Sequence, residues 1–160
     1  MGSLEVTEEL GGRGAVAPRV SLKDITDAID REHYFTAGAA VVALGQPSVI
    51  DDPLGLLTIC ILVMRNGFVV IGKSAPASPA NFDADKGRTF AREDAIRQLW
   101  PLMGFALRDR LHGDAEDARL LALPYDEAAN LRRRADGETL ARLNRLAIAV
   151  DVSGDEPRAA

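Results

Sequence analysis

The chain has 160 residues, a hydrophobic fraction of 47% and a formal net charge of −5. That length suits one domain with extensions, and that hydrophobicity buries a core, which excludes a disordered chain. The acidic balance excludes a general nucleic-acid or membrane-surface binder, which needs a basic excess. The longest apolar run, Leu54–Met64, is about half of the ~20 residues that span a bilayer.

Met1–Arg19 is interrupted by Gly11, Gly12, Gly14 and Pro18, shows no periodicity and no signal-peptide pattern, and is expected to be a flexible leader. Ser21 with Asp24 makes a capping-box pattern, and Leu22, Ile25, Ala28 and Ile29 then share one helical face. A short helix is predicted over Leu22–Arg31. Tyr34–Leu44 reads as a strand, and Gly45–Pro53 as a loop bounded by two prolines. Leu56–Arg65 is almost continuously apolar, the pattern of a strand covered on both faces. Asn66-Gly67 then supplies the positive-φ residues of a type I′ turn. Phe68–Ser74 returns antiparallel, with Val69 and Ile71 on one face and Phe68 and Val70 on the other.

After a small-residue linker, Ala75–Pro79, either Asn81 or Asp83 can cap a long helix. Gly87 loosens its first turn, so the regular helix is expected nearer Thr89. Ile96, Trp100, Met103, Leu107 and Leu111, with Leu99, Leu102 and Ala106, form a wide stripe able to cover one face of the hairpin. Pro101 is expected to kink this helix or split it in two. The division expected is therefore 1–19 leader, 20–112 core domain and 113–160 C-terminal extension. Gly113–Asp117 reads as polar, Asp126–Arg134 and Glu138–Ile148 as helical, and Ser153–Ala160 as frayed. The fold class is α+β: a small antiparallel sheet, centred on the Asn66-Gly67 hairpin, packed by a short N-terminal helix and a long helix interrupted by proline.

Chemistry-bearing patterns are few. His33 and His112 have no Cys or His partner at ligand spacing, so no metal is expected. No nucleophile elbow, Walker loop or dinucleotide fingerprint occurs, and Cys60, alone in an apolar run, reads as a small buried hydrophobe in a reducing compartment. Acid pairs such as Asp51-Asp52 and Glu93-Asp94 could serve as general acids and bases, and neither comes with a predicted pocket. No catalytic residue and no cofactor is predicted. One junction is unusual. At Pro79–Asp83 an aromatic, Phe82, stands beside Asn81 at a helix N-terminus, where backbone N–H groups favour anions. Lys73, Arg88, Arg92 and Arg97 lie near enough in sequence to neutralise charge, and an aromatic face stacks on a base. The plainer reading is structural: Phe82 plugs the end of the core, and Asn81 or Asp83 caps the helix.

The words Leu56-Leu57-Thr58-Ile59-Cys60, Arg65-Asn66-Gly67-Phe68, Gly72-Lys73-Ser74-Ala75, Ser78-Pro79-Ala80-Asn81-Phe82-Asp83 and Ala91-Arg92-Glu93 occur in this order. With Gln98-Leu99-Trp100-Pro101-Leu102-Met103-Gly104-Phe105 after them, they resemble the tailed-bacteriophage family named after gene product 49 of one phage and gene 66 of another. The resemblance runs from about Ser21 to Leu111. It implies a phage or prophage protein in the cytoplasm of a bacterial host, of a family without an assigned activity. Small phage proteins that act on host defence suggest a counter-defence factor holding a small anionic nucleotide signal in an oligomeric pocket. In that reading Asn81, Phe82 and Asp83 receive the ligand, and Lys73, Arg88, Arg92 and Arg97 supply charge. The alternative is an interaction module that binds a host or phage protein without a small ligand.

Overall fold

The computed structural model describes residues 3–47 and 52–146. The chain divides into two compact units, residues 1–107 and 108–160. In the first, three strands form one antiparallel sheet in the order β1 (Ile29–Thr36), β2 (Thr58–Met64), β3 (Val69–Ser74). Its helices are α1 (Ser3–Gly12), α2 (Leu22–Asp27), α3 (Ala37–Ala43) and the greater part of α4 (Ala84–Leu121). The expected α+β architecture is present.

The hairpin joins Met64 to Phe68, as expected, but with a different turn. Gly67 N–H donates to Met64 C=O at 2.8 Å, Met64 N–H donates to Phe68 C=O at 2.8 Å, and Gly67 has φ +84°. This is a three-residue loop with its glycine in the left-handed position, rather than a two-residue type I′ turn. Asn66 Oδ1 accepts from Phe68 N–H at 3.0 Å and fixes the exit.

Strand pairing sorts the sheet into two faces. Tyr34, Cys60 and Gly72 stand in one row, and Glu32, Leu62 and Val70 in the next. This face is covered by α4: Cys60, Leu62, Met64, Val70, Ala91, Ala95, Ile96 and Leu99 form one buried cluster with Leu4 and Ile25. The approach is close because small residues meet at the crossing. A Cβ on Gly72 would lie 2.0 Å from Ala91 O and 2.4 Å from Ala95 N, so only glycine fits there. A bulge between Ile29 and Arg31 keeps Ile29 packed against the same core.

Several expectations are corrected. The segment read as a leader carries α1, whose Leu4 is buried, because Glu8 accepts from the backbone N–H of Leu22 and pairs with Arg19. The helix predicted to Arg31 ends at Asp27, and the strand placed over Tyr34–Leu44 is instead β1 followed by α3, which Thr36 caps through Ala39 N–H. The capping box at Ser21 and Asp24 forms as read. Gly87 does not loosen α4, which begins at Ala84: it is buried, and a Cβ there would lie 2.5 Å from Thr58 Oγ1. Pro101 lies inside one continuous helix and does not split it, and the polar stretch Gly113–Asp117 belongs to that helix too. β2 is buried on one face only.

In the second unit, α5 (Tyr125–Arg134) and α6 (Gly137–Arg145) follow α4. Arg142 on α6 donates to Asp117 (2.5 Å), Glu116 (2.7 Å) and the Gly113 carbonyl (2.6 Å), tying α6 to the last turns of α4. Ile148 and Ser153–Ala160 lie outside the described residues, as does Asp51 of the acid pair.

Candidate functional site

The junction singled out in the sequence is a tight, internally satisfied helix entry. Pro79–Asn81 makes a 3-10 turn closed by Phe82 N–H donating to Pro79 C=O at 3.0 Å. Asp83, not Asn81, caps α4: its Oδ1 accepts from Asp85 N–H at 3.0 Å and Lys86 N–H at 3.1 Å. The Lys86 N–H bond, the Lys86 ammonium at 3.3 Å and the helix entry together hold the Asp83 carboxyl below its ordinary pKa. The N–H groups an external anion would use are therefore already turned on a carboxylate of the chain. Asn81 is exposed, and Phe82 retains 36% exposure outside the core cluster.

The four cations are not gathered around this junction. Arg88 stands 3.8 Å from Asp85 in solvent. Arg92 reaches across to β1, where Nε donates to both oxygens of Glu32 at 3.0 and 3.1 Å and Nη2 stands 2.9 Å from Oε1. Arg97 pairs with Glu93 at 2.7 Å and donates to Ser3 Oγ at 2.6 Å, binding α4 to α1. Lys73 points to the other face of the sheet, since Gly72 faces α4. The acid pair Glu93-Asp94 is engaged as well: Glu93 accepts from Ser3, and Asp94 accepts from the backbone N–H of Lys73 at 3.0 Å.

A half-buried polar cluster lies between β1 and α4. Tyr34 O–H donates to Glu32, which also holds Arg92, and Cys60 lies directly across from Tyr34. Burial first, and the bond to Glu32 second, push the Tyr34 phenol far above its ordinary value. Burial likewise raises Cys60, so its thiol stays protonated and is a poor nucleophile. One carboxylate, one guanidinium and one phenol satisfy each other here, and the arrangement clamps the helix to the sheet edge. Among the described residues, no group of three or more His, Cys, Asp or Glu is placed to hold a metal. No described helix is long and apolar enough to cross a membrane.

The surface that sequence reasoning missed is the second face of the sheet. Its rows are Arg31–Val63–Val69, His33–Ile61–Ile71 and Phe35–Ile59–Lys73. None of the nine is buried; Val69 keeps 49% exposure and Ile71 56%. Beside it Phe68, at the hairpin tip, is 52% exposed. The signal was present in the alternation of β3, but the apolar run of β2 suggested cover on both faces. Phe90, on the outward side of α4, is another exposed aromatic that the sequence reading passed over.

Fold and surfaces together define a small α+β domain, a three-stranded sheet backed on one face by a single long helix. The family described as Phage protein (N4 Gp49/phage Sf6 gene 66) matches residues 20–111, and the chain belongs to it. The match takes in the whole sheet and α4 as far as Leu111. No curated protein and no solved structure matches the chain.

Proposed function

We propose that this phage protein is a non-enzymatic interaction module, which acts by presenting a surface to another protein chain. The observation that carries this reading is the uncovered apolar face of the sheet, where Ile59, Ile61, Val63, Val69 and Ile71 lie together without a covering helix. Exposed apolar area of this kind is costly in water and marks contact surfaces. Arg88, Arg92 and Arg97, by contrast, each stand against a carboxylate of the chain. A photo-crosslinking phenylalanine analogue at Ile71 tests the reading in cells infected by a phage carrying the gene. Covalent adducts to a polypeptide are expected, and a probe that reacts with no protein chain refutes it.

A second reading keeps the nucleotide signal and host counter-defence. Two aromatics near the start of α4, Phe82 and Phe90, are exposed at 36% and 54%, and an exposed ring can stack on a base. It requires a ligand phosphate to displace Asp83 from the helix entry, or a carboxylate from one of the arginines. Melting the full chain with a panel of cyclic nucleotides distinguishes the readings, since ligand at 1,000 times its Kd adds about 4 kcal/mol of stability. A rise in Tm with one member supports sequestration, and an unchanged Tm with every member at millimolar concentration removes it.

A further inference from the structure

We infer that the occupant of the open sheet face is a second copy of this chain, stacked face to face about a two-fold axis that runs along β2; this rests on the interaction-module reading above. The arrangement of the nine side chains carries it. The central column, Ile59, Ile61 and Val63, is wholly apolar. The polar side chains sit only in the flanking columns, the cations Arg31 on β1 and Lys73 on β3 with His33 also on β1. Rotation about the β2 axis sets each β1 column over the partner copy's β3 column while preserving the rows. Arg31 then covers Val69 of the other copy, His33 covers Ile71, and Phe35 covers Lys73. Each central residue meets its own symmetry mate. No cation faces a cation, and the Phe35 ring receives a lysine ammonium, a favourable pairing where water is excluded.

The alternative way for a sheet to recruit a chain is strand addition at an exposed edge. The β3 edge is closed to it. Asp94 Oδ2 accepts from Lys73 N–H at 3.0 Å and Gln98 Nε2 donates to Ile71 C=O at 2.9 Å, so two α4 side chains one turn apart occupy the outward backbone groups. Face-to-face stacking instead uses the apolar column itself, and two twisted sheets pack this way at about −30°. Nine side chains with these exposures offer on the order of 600 Å² per copy, so that two copies bury about 1,200 Å², the lower end of a stable interface.

Sedimentation equilibrium of the full 160-residue chain across the micromolar range tests the inference. The expected species has twice the 17.1 kDa chain mass. Ile71→Glu, at a position 56% exposed in the single chain, should raise the dimer dissociation constant at least tenfold with unchanged circular dichroism. Val69→Glu serves as the second variant and should do the same. A 17.1 kDa species throughout overturns the inference. So does a dimer that survives both substitutions. If the chain is monomeric while the crosslinker at Ile71 captures another polypeptide, the interaction-module reading stands and the second copy falls; if it captures none, both fall.

Discussion

Gly72→Ala is the substitution whose effect the packing fixes most tightly. The added methyl would lie 2.0 Å from the Ala91 carbonyl oxygen, 2.4 Å from the Ala95 nitrogen and 2.8 Å from the Ala95 Cβ. Two of these three neighbours are helix backbone, so no rotamer change relieves the contact, and α4 must retreat by about 1.5 Å to reach ordinary van der Waals distance. That retreat loosens the helix against Cys60, Leu62 and Val70, all in the same buried cluster. Overpacking of a core costs about 1–3 kcal/mol, and a backbone clash belongs at the upper end. For a unit of this size a 3 kcal/mol loss lowers Tm by roughly 12–24 °C. Urea unfolding followed by the single tryptophan, Trp100, measures it, since Trp100 packs against this core and donates its indole N–H to Val20 C=O at 3.1 Å. Two other glycines supply contrast. At Gly87 the obstruction is the Thr58 hydroxyl, 2.5 Å away. The cost of Gly87→Ala should therefore shrink in a Thr58→Ala background. At Gly104, inside α4, nothing lies within 4 Å of an added Cβ, and Gly104→Ala should stabilise by about 0.5–1 kcal/mol through helix propensity. A Gly72→Ala protein within 0.5 kcal/mol of wild type, or one less affected than Gly104→Ala, would refute the close-approach argument.

Leu4→Ala should cost about 2–3 kcal/mol in the same urea assay, because Leu4 keeps only 6% exposure, whereas a flexible leader would show no loss. Glu32→Gln should destabilise by about 1–2 kcal/mol by leaving the half-buried Arg92 guanidinium without its counter-charge. In a double-mutant cycle with Arg92→Met most of that loss should disappear. Tyr34 should fail to ionise in the folded protein when ultraviolet absorbance is followed through the ordinary phenol range. Its pKa is raised in the folded state, so its contribution is complete below about pH 10 and is lost as pH rises. In acid the opposite sign applies to Glu8 (held by Arg19 and then Leu22 N–H), Asp24 (by Ser21) and Asp83 (by Lys86). Their folded-state values are depressed, so their contribution is present above about pH 4 and is lost as pH falls, and Asp83→Asn should flatten that acid limb of a Tm-against-pH curve.

Local rules carried much of the fold. The capping box at Ser21 and Asp24, the reversal at Asn66-Gly67 and the first part of the stripe, Ile96, Leu99, Trp100 and Met103, depend on neighbours within one turn of the chain and appear where that chemistry places them, whereas Leu102, Ala106 and Leu111 of the stripe are exposed. The failures share a different cause. α1 is tied down by a carboxylate, Glu8, that finds its partners Arg19 and Leu22 only once the chain has folded back. Gly87 looks like a helix breaker until Thr58 stands beside it. The candidate site was legible only in its cap: Asp83 does satisfy the helix entry. The dispersal of Lys73, Arg88, Arg92 and Arg97 to separate carboxylates and faces depends on tertiary register, which no local pattern contains.

The helix α4 explains why the open face is the proposed contact surface. Its side chains divide by direction within three turns: Ala91 and Ala95 touch the sheet, Arg92 holds β1, Asp94 and Gln98 close the β3 edge, and Glu93 and Arg97 hold α1. Any reading that asks these groups to receive a substrate must first release a structural contact, at about 1–3 kcal/mol for each buried polar partner left alone. The second face of the sheet carries no such debt. Its β2 and β3 residues reach nothing in the described chain that buries them, so a partner gains their apolar area without breaking a bond. Lys73 marks the boundary between the two regimes: its backbone belongs to the closed edge, through Asp94, while its side chain stands on the open face. Replacing Lys73 therefore separates them. Lys73→Met keeps the Asp94 bond and the fold, and removes the one cation that would meet Phe35 across the two-fold axis. Weakened self-association at unchanged Tm is the expected result, and lowered Tm with unchanged self-association would mean that the lysine serves the edge instead.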